Sequence, residues 1–523
     1  MVILLSRAWI RRYAIAYAAL ALSLLAHARH YYHPHTGFSA LVRFGDRYAP
    51  QRVGALRDVP LYTHADSAGY DGQFYAQLAA VGNPLHPELP GALDSAPYRS
   101  RRPLLPMLAH AAGLGRPGWA VQAYALSNLA SWLLLAVLLA RWWFPPTDLH
   151  NLLRWAGVLF GAGLASSVTR GLTDGPALLF LAAGVRLVER RRDFTGAVLL
   201  AAAGLVRDAS ALAAASLLPA GDRQDRRPWR ALLAIAVCVL PVTAWTAFLA
   251  VYHGSLGSDR NFAPPFTALA AKVSEIIADA RTFGIGRVMH DVLSLVAIST
   301  QVGFLLARPR VDQPWWRVGA AFSLLWVVLG PAVWEGTPSA MGRVVLPIAL
   351  AFNVLAPRTR GGLVLLLAGN LTVVAAADVL AVRPSEQNVF VRGITLTRGE
   401  GWHGLEGAGA TSWRWASGSG TLTLHNPGGD PVRVTLEFEL GSVTDRTVTV
   451  RAPAGSPSFV LTGGPGRLPV RVGPFRLPPG ETAIDLTSAE PAWLEPWDDG
   501  RALAFAAYDL YVTVDPEGGR GRD

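Results

Sequence analysis

The chain has 523 residues, of which 51% are hydrophobic and only 16% are charged, and it carries a formal net charge of +10. Soluble globular proteins contain about a quarter charged residues, so this composition argues against a large soluble enzyme. The hydrophobic content excludes an intrinsically disordered chain, and the single cysteine excludes a disulfide scaffold.

Long apolar runs predict a mainly α-helical, polytopic membrane protein, because a helix crosses the roughly 30 Å bilayer core with about 20 residues. The first run, at about 13–28, could be a signal peptide, since Ala26-His27-Ala28 resembles a cleavage site. We expect a retained helix instead, because many spans follow. The later predicted spans are 119–141, 151–168, 173–190, 230–252, 287–307, 315–333, 343–357 and 362–382.

The apolar run 196–219 carries Arg207 and Asp208 at its centre. Each charge would cost roughly 2.5–3.5 kcal/mol at mid-bilayer, so we predict a hairpin of two short helices that turns at these residues. With a cytoplasmic N-terminus, the hairpin keeps the basic cluster 223–230 inside, as the positive-inside rule requires. The prediction is about eleven transmembrane segments, with the first loop (29–103) and the C-terminus on the extracytoplasmic side. Because most of the basic residues then lie at membrane edges beside anionic lipid, no nucleic-acid partner is expected.

The first long loop contains an acidic and aromatic segment, Gly69-Tyr70-Asp71-Gly72-Gln73-Phe74-Tyr75. Asp71 lies near a predicted helix start, where it would serve either as an N-cap or as a chemically active carboxylate. Asp66 and His64 could join it around a divalent cation, or they could be solvated loop residues. No complete metal-binding motif is present, so no metal ligands are assigned.

Arginines follow in the same loop, within Tyr98-Arg99-Ser100-Arg101-Arg102-Pro103. Guanidinium groups match phosphate oxygens and stay charged, so these residues could hold a lipid phosphate or make general headgroup contacts. Charges near a membrane usually face a cavity or a partner. The charges predicted on the same outer side of the membrane, where they are expected to face a common cavity or partner, are Arg170, Asp174, Arg207, Asp208, Glu335 and Arg343.

From about residue 385 the pattern changes from helical runs to short alternating strands. Val432, Val434, Leu436, Phe438 and Leu440 alternate with polar residues, which is typical of a half-buried strand. About eight such strands, separated by Pro/Gly clusters, predict an extracytoplasmic all-β domain at 385–523 of the sandwich or jelly-roll type, after a membrane domain at 1–384. Its tryptophans could stack on sugar rings, fill the core or rest at the membrane interface.

Five short motifs give the sequence a wider resemblance; they are Tyr70-Asp71-Gly72-Gln73-Phe74-Tyr75, Tyr98-Arg99-Ser100-Arg101-Arg102-Pro103-Leu104-Leu105-Pro106, Leu172-Thr173-Asp174-Gly175-Pro176-Ala177, Gly204-Leu205-Val206-Arg207-Asp208 and Gly342-Arg343-Val344-Val345-Leu346-Pro347. With these motifs the chain resembles integral-membrane glycosyltransferases of the GT-C superfamily, in particular bacterial membrane proteins of cell-surface glycopolymer formation. The family's more familiar hairpin sequence is Arg-Glu, whereas this chain has Arg207-Asp208, and the first loop lacks an Asp-x-Asp pair.

The resemblance implies a polyprenyl-phosphate sugar donor, a glycan or lipid acceptor, and transfer at the extracytoplasmic face of the bacterial inner membrane. It also implies that Asp71 is the catalytic carboxylate. Expected substrate-binding residues are Asp66, Tyr75, Arg99, Arg101, Arg102, Asp174, Arg207, Asp208 and Arg343. The alternative is a non-catalytic transporter, flippase or assembly partner for lipid-linked saccharides, which would use the same arginines without a base.

Overall fold

The computed structural model describes residues 2–219, 228–255, 257, 260–336, 340–496 and 500–515; for 2–11 and 228 it describes only the backbone. The chain divides into two compact units. The first unit contains 1–27, 74–115 and 123–381, and the second contains 28–73, 116–122 and 382–523. Residues 28–73 of the predicted first loop therefore belong to the same unit as the C-terminal strands.

The first unit is helical. Three of its helices, Val2–Arg29, Gly72–Val81 and Pro117–Trp142, have residues at one end that belong to the second unit. The other helices are Leu89–Ala92, Ala96–Arg99, Leu104–Ala112, Leu149–Leu159, Ala162–Thr169, Asp174–Glu189, Asp193–Val206, Pro228–His253, Thr267–Phe283, Ile285–Ala307, Pro314–Val327, Pro331–Trp334, Met341–Val344, Leu346–Leu355, Arg360–Gly369 and Thr372–Val379. A large apolar cluster that includes Trp132, Leu181, Phe322 and Phe352 forms its core.

Four helices of the described chain are long and apolar enough to cross a membrane: Pro117–Trp142, Trp229–His253, Ile285–Ala307 and Arg360–Val379. The bent pair Leu149–Leu159 and Ala162–Thr169 makes a fifth if it is one broken span. These helices are consistent with a membrane protein.

The predicted eleven spans are not supported by this structure. The reason is helix length, because the apolar runs at 173–190, 315–333 and 343–357 form helices of only 16, 14 and 10 residues. At 1.5 Å per residue these helices measure roughly 24, 21 and 15 Å, which is less than the bilayer core. Proline, glycine and 3₁₀ turns interrupt apolar sequence that hydropathy alone reads as continuous.

The apolar run at 196–219 is broken at the position that its charges indicated. Helix Asp193–Val206 ends where Arg207 adopts an extended backbone, with φ −149° and ψ 113°. A 3₁₀ segment, Asp208–Leu217, follows and packs back against the helix. The basic residues Arg223, Arg226 and Arg227, which supported the hairpin, lie outside the described residues.

The second unit contains two five-stranded antiparallel sheets. The first sheet has the order Gly464–Leu477, Val432–Ser442, Phe505–Val514, Thr411–Ala416 and Glu406–Ala408. The second has the order Thr395–Arg398, Ser419–Asn426, Gly480–Ser488, Arg446–Arg451 and Ser458–Leu461. Leu436 and Phe438 of the first sheet share one core with Leu424 and Ile484 of the second, so the C-terminal region is the β-structure that the alternation predicted. A two-residue pair, Trp493–Leu494 and Ala502–Leu503, stands apart from both sheets.

The first loop adds its own elements to the second unit. Strand Phe44–Gly45 pairs in parallel with Thr63–His64, and 3₁₀ turns cover Ser39–Val42, Asp46–Gln51 and Gly54–Leu56. Tyr62 anchors the loop, because its hydroxyl donates to the Ser385 carbonyl at 2.8 Å. Residues 29–73 of the loop are thereby a folded part of this unit.

Candidate functional site

A cavity of about 660 Å³ lies within the helical unit, and its volume is in the range of small-molecule sites. At one end it is lined by Tyr98, Arg101, Arg102, Arg207 and Asp208. The rest of the lining is almost entirely apolar, from residues that include Leu212, Val239, Phe262, Leu325, Leu329, Val333 and Val344. Three guanidinium groups against one carboxylate leave the polar end with a net positive charge.

Arg101 and Arg102 meet Asp208 at this polar end. The Arg102 Nε lies 3.2 Å from Asp208 Oδ1, and an Arg101 terminal nitrogen lies 3.7 Å from Oδ2. The arginine side chains are 9% and 4% exposed, whereas that of Asp208 is 26% exposed. One carboxylate thus pairs with two largely buried arginines and leaves a net positive charge, and it is the more accessible partner.

Two tyrosines orient these arginines. The Tyr98 hydroxyl accepts a hydrogen bond from Arg102 at 2.9 Å, and the Arg101 and Arg102 guanidinium carbons each lie 4.6 Å from the centre of the Tyr98 ring. The hydroxyl of Tyr75 accepts hydrogen bonds from Arg102 and from Arg99. Because Arg99 also forms a two-bond pair with Asp94 at 2.6 and 2.8 Å, its fork is already occupied. Arg99 is therefore a supporting residue here, and Arg101 and Arg102 are the ones that line the cavity.

Asp174 organises a second group of arginines. It is the first residue of helix Asp174–Glu189, and its side chain is only 1% exposed. Arg207 approaches one carboxylate oxygen at 2.8 Å, and Arg343 approaches the other at 3.7 Å. Neighbouring residues in the chain, Arg207 and Asp208, thus belong to two different ion-pair groups. Asp174, Arg207, Asp208 and Arg343 thus fall into two ion-pair groups, whereas Glu335, predicted on the same side, is 60% exposed and pairs with Arg260.

Asp71, Asp66 and His64 belong to the other unit and are described within it. Asp71 is partly buried and directly precedes helix Gly72–Val81, as the sequence predicted. Asp66 is exposed, has φ 50°, and its backbone N–H donates to Asp46 Oδ2 at 2.8 Å. The ring nitrogens of His64 contact Ser385 Oγ and the Ala40 carbonyl, and burial lowers its pKa to about 3.

In the described part of the chain, no group of three or more His, Cys, Asp or Glu residues is placed to hold a metal ion. Both nitrogens of His64 have partners within the fold, so that imidazole is not arranged as a metal ligand. This geometry therefore does not support a divalent cation held by Asp66, Asp71 and His64.

Sequence reasoning did not single out Tyr98, Asp94 or the apolar lining. The lining contributed by Phe262 and Leu329 could not be found in this way, since it comes from segments far apart in the chain. No protein-family model matches this chain, and no curated protein matches it.

Proposed function

We propose that this chain is a bacterial inner-membrane glycosyltransferase of the GT-C type. It transfers a sugar from a polyprenyl-phosphate donor to a cell-envelope glycan or lipid acceptor on the extracytoplasmic face. Two sources support the proposal: the motifs at Asp71, Arg101–Arg102, Asp174, Arg207–Asp208 and Arg343, and the cavity in the helical unit.

The observation that carries the proposal is the division of that cavity into a cationic end and an apolar remainder. A polyprenyl phosphate has the matching division, since an anionic phosphate is joined to a long hydrocarbon chain. Arg101 and Arg102 would receive the phosphate, because guanidinium forks pair well with phosphate oxygens. Leu325, Leu329 and Val333 would contact the first isoprene units, and burying this hydrocarbon favours binding by roughly 25 cal/mol per Å².

In the proposed reaction, an acceptor hydroxyl oxygen attacks the anomeric carbon of the donor sugar. A new carbon–oxygen bond forms while the bond from the anomeric carbon to the phosphate oxygen breaks. The leaving polyprenyl phosphate keeps the electron pair, and Arg101 and Arg102 stabilise the added charge. Asp71 is assigned as the base that takes the hydroxyl proton, on the strength of its place in the first-loop motif. Attack opposite the leaving group inverts the anomeric centre.

The first experiment measures sugar transfer by the full-length chain in proteoliposomes supplied with a panel of radiolabelled polyprenyl-phosphate sugars and envelope acceptors. Asp71→Asn removes the proton acceptor with little change in shape, so the transfer rate should fall by roughly 10²–10⁴-fold. Glu88→Gln is the matched control, because it neutralises an exposed carboxylate in the same loop that lines neither cavity. Equal rates for Asp71→Asn and the unaltered chain would remove Asp71 from the mechanism.

The same proteoliposomes separate transfer from transport. A chain that moves the labelled donor between leaflets, without forming a new glycosidic bond with any acceptor in the panel, would favour the transporter or flippase. Arg101→Gln should weaken donor binding while leaving the acceptor requirement unchanged. The reverse pattern would count against a phosphate site at this arginine.

A further inference from the structure

A second cavity, of about 600 Å³, lies within the unit that contains the β-sheets. The first-loop segment 46–66 forms one side, and residues 388–395 with His425 and Pro427 form the other. Four arginines line it, Arg47, Arg52, Arg57 and Arg392, together with two carboxylates, Asp46 and Asp66. By charge the cavity therefore suits an anion.

Internal bonds already occupy the carboxylate of Asp46. Its Oδ1 accepts the Ser67 N–H at 2.9 Å, and its Oδ2 accepts the Asp66 N–H at 2.8 Å and the Asn388 side-chain amide at 3.1 Å. These bonds join the first loop to the chain that leads into the sheets. Asp46 thus shapes the cavity, and these hydrogen bonds stabilise its carboxylate within the fold.

The arginines of this cavity differ in how many partners their guanidinium groups already have within the fold. Arg392 pairs with Asp58 at 3.0 Å, and Arg52 donates to the Gly45 carbonyl and to Thr63 Oγ1. Burial lowers the pKa of Arg52 to about 10, so the guanidinium remains protonated at neutral pH, and its Nε is buried with no hydrogen-bond partner. Arg47 and Arg57 are exposed, and their side chains form no ion pair within the described residues.

The remaining lining combines apolar surface with polar groups, which is what binding a sugar ring requires. Pro50, Val53, Leu56 and Val389 offer apolar surface for the carbon–hydrogen faces of a ring. Asn388, Thr395 and His425 offer polar groups for hydroxyls, and His425 Nδ1 is buried without a hydrogen-bond partner. Ligand sites commonly combine apolar walls with a few polar groups that fix orientation.

We propose that this cavity binds an acidic oligosaccharide, which carries a carboxylate or a phosphate that pairs with Arg47 and Arg57. That this saccharide is the acceptor glycan rests on the proposed function; the binding itself does not. None of its lining residues also lines the cavity of the helical unit.

The test measures binding to the full-length chain in nanodiscs of zwitterionic lipid, by isothermal titration calorimetry without any sugar donor. The probes are trigalacturonate against its methyl ester, and a phosphorylated trimannoside against the unmodified trimannoside. At least one acidic probe should bind ten or more times tighter than its neutral match, because charge-assisted hydrogen bonds each contribute about 1.5–3 kcal/mol. The tighter acidic probe identifies the acid group.

Arg47→Ala with Arg57→Ala should weaken that binding by about tenfold or more. The matched control is Arg451→Ala with Arg476→Ala, which removes the same charge from exposed strand positions outside the cavity. The control should bind within about twofold of the unaltered chain, since distant surface charges are screened by salt.

Three results would overturn the inference: equal binding of acidic and neutral probes, unchanged binding by the Arg47/Arg57 variant, or inorganic phosphate binding as tightly as the phosphorylated sugar. Failure of the proposed function has a different signature. It would appear as absent sugar transfer or as unchanged donor binding in Arg101→Gln, and neither depends on Arg47 or Arg57.

Discussion

Replacing Asp208 with asparagine should destabilise the empty protein and at the same time strengthen its binding of an anionic lipid. Asp208 is the carboxylate that faces Arg101 and Arg102, whose side chains are 9% and 4% exposed. Asparagine keeps the size and one acceptor oxygen but removes the charge. Two largely buried guanidinium groups would then lack their counter-ion until an anion enters.

The expected magnitude follows from the two contacts of Asp208, at 3.2 and 3.7 Å. With an effective dielectric constant of about 20, each corresponds to about 5 kcal/mol of attraction. Desolvation of the charges offsets much of this sum, and removing one partner of a buried pair typically costs about 3–5 kcal/mol. Because Asp208 is 26% exposed, we expect a loss near the lower end of that range.

The assay is the free energy of unfolding of the full-length chain in mixed micelles, measured by denaturant titration with and without polyprenyl phosphate. A matched control is Glu189→Gln, because Glu189 is 21% exposed and pairs with Arg186 at 2.9 Å one helical turn away. Because its partner Arg186 is 22% exposed, more than Arg101 or Arg102, this pair within one helix contributes only about 0.2–0.5 kcal/mol. Polyprenyl phosphate should restore most of the stability that Asp208→Asn loses, and its affinity for the variant should rise by about tenfold, the equivalent of 1.4 kcal/mol.

One result would refute this reasoning about charge. If Asp208→Asn unfolds like the unaltered chain and polyprenyl phosphate stabilises both to the same extent, Asp208 does not neutralise Arg101 and Arg102. A loss of stability that the lipid fails to restore would leave Asp208 a purely structural residue and would count against phosphate binding at this end of the cavity.

Two further variants test other parts of the structure by the same unfolding measurement. A Cβ on Gly163 would lie 2.3 Å from the Gly342 carbonyl oxygen, so Gly163→Ala should lower the free energy of unfolding by about 1–3 kcal/mol. Gly303 has open space around it, so Gly303→Ala should be neutral or slightly stabilising. Equal effects of the two variants would contradict the close approach at Gly163. Burial raises the pKa of Asp509 to about 6, although its carboxylate accepts the Ser412 N–H. The stability that this protonated group contributes is complete below about pH 4 and is lost as pH rises through 6. The free energy of unfolding of Asp509→Asn should therefore increasingly exceed that of the unaltered chain from pH 5 to pH 8, by at most about 3 kcal/mol. Parallel pH curves for the two chains would contradict this prediction.

The sequence predicted the elements whose pattern is local. Alternation over 432–440 predicted a strand, and Val432–Ser442 is one, because period-two patterning follows directly from strand geometry. The break at Arg207 was predictable for a similar reason, since two adjacent charges in an apolar run are expensive. By contrast, strand Thr411–Ala416 was missed: Trp413 and Trp415 alternate with polar residues over too short a stretch to stand out.

The number of spans could not be predicted because hydropathy measures composition and not where a helix ends. Residues 344–357 are apolar apart from Asn353, yet the helix there covers only Leu346–Leu355. Helix ends depend on neighbours that come from distant parts of the chain. The folded state of the first loop was missed for the same reason, since Tyr62 is held by Ser385, 323 residues away.

Within the candidate site, exposure decides which of the buried charges an incoming anion can reach. Asp174 is 1% exposed and lies between Arg207 and Arg343, so a ligand cannot replace it without opening the helical packing around it. Asp208 is 26% exposed and lines the cavity, so an incoming anion can reach the arginines with which it pairs. The positive charge available to a ligand is therefore mainly that of Arg101 and Arg102. Arg207, adjacent in sequence to Asp208 but paired with Asp174, then fixes the backbone at the turn where this anion would bind.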